Sequence, residues 1–188
     1  QDDRNHMPFD LKALQDMAKL YPGKTVIKDH ERTSDNQIAR VYDTELVQTD
    51  KTTDLGEPHT ELIAKIYMIR TDSNKDLIAE ICGGIKKEVS TTTIPKKLIC
   101  GTDNLQGYCN HWPGRDYEVL DANGKRVKQV CAMLMSGIKE AYELSLVAVP
   151  AQPRAGTRKS LGFAKPFTKP EEKNTEKLDE RIAEIRIS

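Results

Sequence analysis

The sequence predicts a mainly β protein with a few short helices, an α+β arrangement. Short segments rich in Val, Ile and Thr recur along the chain, and Gly, Pro and Asn-Gly turn signals separate them. Helical periodicity is confined to a few short segments. Residues 1–152 carry most of these patterns, and we expect them to form one domain.

The first element is a predicted helix that begins after Asp10. An Asp at this position can accept hydrogen bonds from the free amides of the first helical turn. The segment ends at Pro22-Gly23, a pair that stops helices. Its apolar side chains recur at helical spacing, and they are Leu11, Leu14, Met17 and Ala18.

Three predicted strands follow this helix. Residues 25–27 are short and β-branched, and residues 38–47 have mixed polarity. Residues 62–69, with the sequence LIAKIYMI, are mostly apolar and predict a largely buried strand. Residues 49–59 are polar, which indicates a loop.

A second short helix is predicted after Ser73, because Ser73 and Asp76 have the spacing of a capping box. The Gly83-Gly84 pair should end it. Residues 86–94 predict the next strand. Asn123-Gly124 then predicts a two-residue hairpin between strands at 117–120 and 127–133, and residues 144–149 form the last predicted strand of the domain.

The C-terminal part changes in character after Gln152. Residues 153–170 are rich in proline and basic residues, which predicts a linker. Residues 171–188 are predicted to form an amphipathic helix with Leu178, Ile182 and Ile185 on one face. We expect this helix to dock on another surface, because an isolated helix of this length is marginal in water.

Composition argues against two kinds of partner. Lys plus Arg and Asp plus Glu both number 29, so the zero net charge offers no broad attraction to nucleic acid or an anionic membrane. No apolar run reaches the ~18 residues typical of a membrane span. The chain has four cysteines and no recognisable secretory signal, so we expect thiols that are free or bound to metal.

Three polar residues lie where predicted strands would position them for hydrolysis. His30 follows the first strand, Ser90 lies in the strand after the second helix, and Glu143 enters the last strand. A hydrolytic site needs a nucleophile, a base and a group that orients the base, and Ser90, His30 and Glu143 could fill those roles. The alternative is that all three are satisfied structural residues. Ser145 and Ser136 are rival nucleophiles, although the apolar surroundings of Ser145 indicate a core hydroxyl.

Three phrases of the sequence, at residues 141–156, 22–30 and 83–90, resemble the motifs of one protein family, the phage prohead proteases, which mature viral capsids. Residues 141–156 read AYELSLVAVPAQPRAG and resemble the family's C-terminal signature, E-x-S-x-V-x-V-P-A followed by a polar residue and Pro. Residues 22–30 read PGKTVIKDH and resemble its upstream phrase ending in Asp-His. Residues 83–90 read GGIKKEVS and resemble its phrase that begins with Gly-Ile and ends in Ser. The order along the chain is also that of the family.

The resemblance implies a serine endopeptidase with the compact β-barrel of the herpesvirus assemblin proteases. It implies Ser90 as nucleophile, His30 as general base and Glu143 as the third member, with no cofactor needed for catalysis. The substrate would be a scaffold protein or an extension of the major capsid protein. The enzyme would self-associate and act inside the immature prohead, in the host cytoplasm.

The sequence departs from the family after Ser90, where Thr91-Thr92-Thr93 replaces an apolar residue followed by Gly. A glycine there allows close backbone approach or supplies an oxyanion amide. The departure favours a second interpretation, in which the chain is a noncatalytic assembly module that retains the protease fold.

A further group of candidate residues lies in CGTDNLQGYCNH, within a predicted insertion at residues 97–115. Cys100, Cys109 and His111 carry the donor atoms that zinc prefers, and Cys131 beyond the hairpin could be the fourth ligand. The alternative is a degenerate knuckle with buried free thiols. A zinc-stabilised nucleic-acid binder is disfavoured by the zero net charge and the 5% aromatic content.

Overall fold

The computed structural model describes residues 3–53, 56, 58–107, 109–158 and 181–187. These residues are mainly β, as the sequence predicts, with two short helices. The helices are α1 (Leu11–Leu20) and α2 (Lys75–Gly83). The strands are β1 (Thr25–Lys28), β2 (Ala39–Thr52), β3 (Pro58–Met68), β4 (Val89–Cys100), β5 (Asp116–Leu120), β6 (Arg126–Val130), β7 (Met133–Leu146), β8 (Gly156–Arg158) and β9 (Arg181–Ile187).

Helix α1 begins where the sequence predicts. The Asp10 carboxylate accepts from the Ala13 amide at 2.6 Å and so satisfies one of the free donors of the first turn. The buried face of α1, with Ala13, Leu14 and Met17, packs on the main sheet. Burial of each large apolar side chain contributes about 1.5–3 kcal/mol, which holds the helix on the sheet.

Seven strands form one mixed sheet in the order β4-β7-β1-β2-β3-β9-β8. Strands β1 and β7 are parallel, and the other neighbouring pairs are antiparallel. Strand β7 therefore lies between β4 and β1. Side chains alternate along it, so Leu144 and Leu146 enter the main core while Glu143 and Ser145 belong to the opposite face.

The closed barrel implied by the family resemblance is not seen. The sheet ladder leaves β4 and β8 as its two edge strands. Among the described residues, the edges meet through an isolated bridge between Glu88 and Gly156 and a hydrogen bond of 2.7 Å from the Thr157 amide to the Lys87 carbonyl. Two contacts are too few to form a continuous strand pair, so the structure establishes the mainly β class and not a barrel.

The turn signals of the second half mark the end of α2 and the β5–β6 hairpin, but the predicted capping box of Ser73 and Asp76 is wrong, because Asn74 is the N-cap of α2 and makes no side-chain cap bond. Helix α2 ends at Gly83, and Gly84 adopts a left-handed conformation with φ of 78°. Strands β5 and β6 form a separate two-stranded hairpin around Asn123-Gly124. The predicted strand at 127–133 is divided, because β6 ends at Val130 and the much longer β7 begins at Met133.

The predictions for the C-terminal part need correction. Residues 156–158 of the predicted linker form β8, which pairs with β9. The helix predicted for residues 171–188 is wrong for residues 181–187, which form β9 between β3 and β8. Three isoleucines in seven residues favour a strand when a sheet edge is available. Residues 171–180, and residues 159–170 of the predicted linker, lie outside the described residues.

Candidate functional site

His30 lies in a tight turn directly after β1. Asp29 and His30 have φ values of 54° and 58°, a left-handed conformation that residues other than glycine rarely adopt. The His30 amide donates to Ser145 Oγ at 3.0 Å, and Asn36 Nδ2 donates to two backbone carbonyls of the turn at 2.8 Å each. Strained backbone persists only where surrounding contacts enforce it, and these contacts fix the position of the imidazole.

Glu143 lies in the middle of the sheet, on β7. The register pairs it with Thr25 of β1 on one side and with Thr92 of β4 on the other. Its side chain is only 2% exposed, and its Oε1 atom lies 2.9 Å from His30 Nδ1. The structure thus brings together two of the three predicted catalytic residues, which are 113 positions apart in the sequence.

Two hydroxyl groups complete the hydrogen bonding of the Glu143 carboxylate. Thr92 Oγ1 donates to Oε1 at 2.6 Å, and Ser145 Oγ donates to Oε2 at 2.9 Å. Both oxygens therefore have donors, as a buried charge requires. Ser145 is fully buried, which supports its predicted role as a core hydroxyl rather than a nucleophile.

The carboxylate determines which nitrogen of His30 can act as a base. An ionised carboxylate only accepts hydrogen bonds, so its contact with Nδ1 places a proton on that atom. The neutral imidazole then has its lone pair on Nε2. The His30 side chain is 38% exposed, so its ring is accessible from solvent. This arrangement suits a general base that an acid orients.

Ser90, the predicted nucleophile, lies on β4 two residues before Thr92. Side chains alternate along a strand, so both belong to one face and their Cα atoms are about 6.6 Å apart. Both residues are described, yet no hydrogen bond joins Ser90 Oγ to His30; Thr92 Oγ1 instead lies 3.2 Å from His30 Nδ1. The structure therefore joins His30 to Glu143 and leaves the role of Ser90 a prediction.

A surface groove of about 210 Å³ borders Ser90. Residues 89–93 of β4 line one side, and part of the N-terminal segment and residues after β7 line the other. His30 and Glu143 do not line this groove.

The cysteine cluster is a second site, at the other end of β4. Cys100, Asp103, Cys109 and His111 each bring one donor atom within 4.8 Å of the others. Cys131 Sγ lies 3.9 Å from Cys100 Sγ, and both thiols are fully buried. Burial is the main cause that raises the pKa of the Cys131 thiol. Three of the four predicted ligands, Cys100, Cys109 and His111, thus converge, together with Asp103, and this group can hold a metal ion. Cys131 lies outside that group of four and reaches it through its contact with Cys100.

Comparisons with known proteins identify no relative: no family model matches the chain, and no curated protein or solved structure matches it either. None of the helices within the described ranges is long and apolar enough to cross a membrane. The functional argument therefore depends on the geometry of these two sites.

Three residues of these sites are not predicted from the sequence. Thr92 is separated from Ser90 by one residue, and the strand period alone could have indicated that both hydroxyls lie on the same face. Asp103 follows Cys100 at the spacing of a Cys-x-x-Cys pair, so a carboxylate occupies a familiar ligand position. Asn36 gives no comparable signal, because its role depends on two carbonyls that only the folded turn brings together.

Proposed function

We propose that this protein is a serine endopeptidase of the prohead maturation type, with Ser90 as nucleophile, His30 as base and Glu143 as orienting acid. The hydrogen bond of 2.9 Å between His30 Nδ1 and the buried Glu143 Oε1 carries the proposal. Burying the Glu143 carboxylate in the sheet costs free energy of desolvation. A role in orienting a catalytic base would explain why a buried carboxylate lies beside a partly exposed imidazole.

The proposed reaction is acyl transfer. His30 Nε2 takes the proton from Ser90 Oγ as this oxygen bonds to the scissile carbonyl carbon. The imidazolium then donates its proton to the leaving amine, and water hydrolyses the acyl-Ser90 ester in the same manner. Glu143 keeps the imidazole oriented and stabilises the imidazolium in both steps.

Ser90 must approach the imidazole for this reaction. Its position on the same strand face as Thr92, whose Oγ1 lies 3.2 Å from His30 Nδ1, supports a short distance between Ser90 and the imidazole ring. Catalytic hydrogen bonds are often long in the free enzyme and shorten when substrate binds. In this proposal a substrate segment in the groove along β4 provides that change.

The substrates in this proposal are a scaffold protein or the removable extension of a major capsid protein, and the enzyme acts within the immature prohead in the host cytoplasm. The three phrases at residues 22–30, 83–90 and 141–156 support this part of the proposal through their resemblance to the prohead proteases. The contact between the sheet edges at Glu88 and Gly156 is compatible with a barrel of the herpesvirus-protease type. Self-association is part of the same proposal.

Labelling with a fluorophosphonate probe tests the nucleophile without knowledge of the cleavage site. The probe forms a covalent bond with a serine hydroxyl that a neighbouring base activates. Mass spectrometry of the labelled peptides should locate the probe on Ser90. Labelling should be lost in Ser90→Ala and His30→Ala. It should be retained in Ser136→Ala, which removes the rival serine and so serves as the control, and circular dichroism should check the folding of each variant.

A second function deserves a test because Ser90 and His30 do not form a hydrogen bond. This observation favours a noncatalytic assembly module, as does the replacement of the family's Gly after the Ser. A folded protein that is not labelled, and that leaves co-expressed capsid and scaffold proteins uncut, would support the module. Labelling on Thr92 or Ser145 would instead overturn the assignment of Ser90.

A further inference from the structure

Four cysteine and histidine side chains meet at the end of β4, although three separate segments supply them. Cys100 is the last residue of β4, Cys109 and His111 lie in the loop before β5, and Cys131 follows β6. Backbone contacts fix this meeting point: the Gly101 amide donates to the Ala132 carbonyl at 2.8 Å. A Cβ atom at position 101 would lie 3.0 Å from that carbonyl oxygen, so only glycine fits easily.

The two distances from Cys100 Sγ to neighbouring donor atoms are close to those around a tetrahedral zinc ion. Zn–S bonds of ~2.3 Å and Zn–N bonds of ~2.05 Å give tetrahedral edges of about 3.8 Å between two sulfurs and about 3.6 Å between sulfur and nitrogen. Cys100 Sγ lies 3.9 Å from Cys131 Sγ and 3.5 Å from His111 Nδ1. A disulfide would need sulfurs only ~2.05 Å apart, so these thiols are spaced as ligands.

The surroundings of Cys100 suit a thiolate. The Thr102 amide donates to Cys100 Sγ at 3.4 Å, and donors of this kind stabilise the charged sulfur that binds a metal. Tyr117 fixes the neighbouring histidine, because its ring meets the His111 ring edge-on at 4.4 Å and its hydroxyl accepts from the Trp112 amide. Thiolate and imidazole donors together select zinc or a similar soft ion.

Five side chains are available for four positions, and Asp103 is the surplus donor. Its Oδ1 atom already accepts from the Leu105 amide at 3.0 Å, and Oδ2 lies 3.1 Å from His111 Nδ1. The 3.1 Å separation is that of a hydrogen bond in which Nδ1 carries the proton. When Nδ1 binds the ion it carries no proton, so this bond is lost and the Asp103 carboxylate has to turn away or replace another ligand. The Cys100–Cys131 pair has the better spacing.

We propose that Cys100, Cys109, Cys131 and His111 bind one structural zinc ion, with Asp103 beside the site as a non-ligand. The ion ties the loop at 101–115 and the β5–β6 hairpin to the junction of β4 and β7. It takes no part in hydrolysis, because Ser90 and Cys100 are ten residues apart on β4, about 30 Å along the strand. The inference is therefore independent of the proposed protease activity.

Metal analysis of the whole purified chain tests the site. Elemental analysis should find about one zinc per chain, as a closed four-ligand site predicts. After exchange, cobalt(II) should give the absorption of a tetrahedral ion with three thiolates. Removal of zinc by a chelator should lower the melting temperature by about 5 °C or more, because a structural metal site adds folding free energy.

Variants distinguish the two possible fourth ligands. Cys131→Ser should reduce metal content to a small fraction of one ion, while Asp103→Asn and the exposed control Cys82→Ser should keep it. Metal retained in Cys131→Ser and lost in Asp103→Asn would overturn the ligand set. If Cys131→Ser does not fold, the cobalt spectrum of the unmodified chain shows how many thiolates bind the metal. Two thiolates instead of three would overturn the proposed ligand set. Absence of bound metal, or a disulfide between Cys100 and Cys131, would overturn the site itself.

Discussion

Replacement of Glu143 by Gln tests the candidate active site most directly, because it keeps the shape of the side chain and removes its charge. The carboxylate accepts hydrogen bonds from His30 Nδ1, Thr92 Oγ1 and Ser145 Oγ. The amide oxygen can still accept from the first two. Its NH₂ group must donate toward Ser145 Oγ, whose hydroxyl can rotate to permit this.

The expected effect of Glu143→Gln on stability is small. Three charge-assisted bonds of about 1.5–3 kcal/mol each become neutral bonds of about 1 kcal/mol each, a loss of roughly 1.5–6 kcal/mol. In compensation, the amide avoids the desolvation penalty of a buried carboxylate, which is several kcal/mol. We therefore expect the free energy of unfolding to change by less than about 2 kcal/mol.

The expected effect of Glu143→Gln on the proposed reaction is large, because in that mechanism the carboxylate stabilises an imidazolium that forms only during catalysis. We expect the rate of fluorophosphonate labelling to fall on the order of 10²–10⁴-fold. The assay compares labelling rates and urea denaturation on the same preparations, with Glu140→Gln on the same strand as control. A labelling rate close to that of the unmodified protein, at unchanged stability, would refute the orienting role of Glu143.

Three further predictions concern the turn that holds His30, an ion pair of α1 and the C-terminal strand. Asn36→Ala removes two hydrogen bonds of 2.8 Å that hold the His30 turn, so stability should fall by about 1–3 kcal/mol and labelling should slow; unchanged labelling would count against this turn as a positioning element. The hydrogen bond from Lys96, and after it the bond from the Ile138 amide, lowers the pKa of the Asp16 carboxyl in the folded protein. The charged carboxylate therefore stabilises the folded state above pH ~4, the ordinary pKa of Asp. This stabilisation is lost as the pH falls through the lowered pKa of the folded state. Asp16→Asn should therefore cost about 0.5–1 kcal/mol at pH 7 and progressively less as the pH falls below ~4 in urea denaturation, and a cost that does not change with pH would contradict this explanation. Truncation after residue 180 removes β9 and exposes the edge of β3 along seven paired residues. The melting temperature should therefore fall, and size-exclusion chromatography should show aggregates, because an exposed strand edge pairs with other chains. A truncated protein that stays monomeric and equally stable would contradict the pairing.

The sequence predicts the short elements well because their signals lie within a few residues of one another. The Asp10 cap and the Pro22-Gly23 stop define α1, and Asn123-Gly124 defines the β5–β6 hairpin. Each of these signals acts through local backbone geometry, which does not depend on the rest of the fold. The mainly β class follows from the same local signals.

Strand lengths and the C-terminal element depend on pairing between distant segments. Strand β7 begins at Met133, eleven residues before the predicted start, because β4 pairs with it along nearly its whole length. Ile182 and Ile185 have helical spacing, while Ile185 and Ile187 have strand spacing. The spacing of these isoleucines alone permits either a helix or a strand. Pairing with the edge of β3 favours the strand, since strand propensity depends strongly on tertiary context.

The sequence by itself identifies the chemistry of both sites: a histidine, a carboxylate and a hydroxyl in one, and thiols with an imidazole in the other. Only the tertiary structure decides which of these groups touch. Glu143 contacts His30 because β7 lies beside β1 and because the left-handed turn after β1 places the His30 imidazole next to the Glu143 carboxylate. Ser90 and Thr92 share a strand face, and the register of β4 on β7 places Thr92, not Ser90, opposite Glu143. Register and turn geometry are set by packing across the whole sheet, so no local pattern in the sequence could choose between these two hydroxyls.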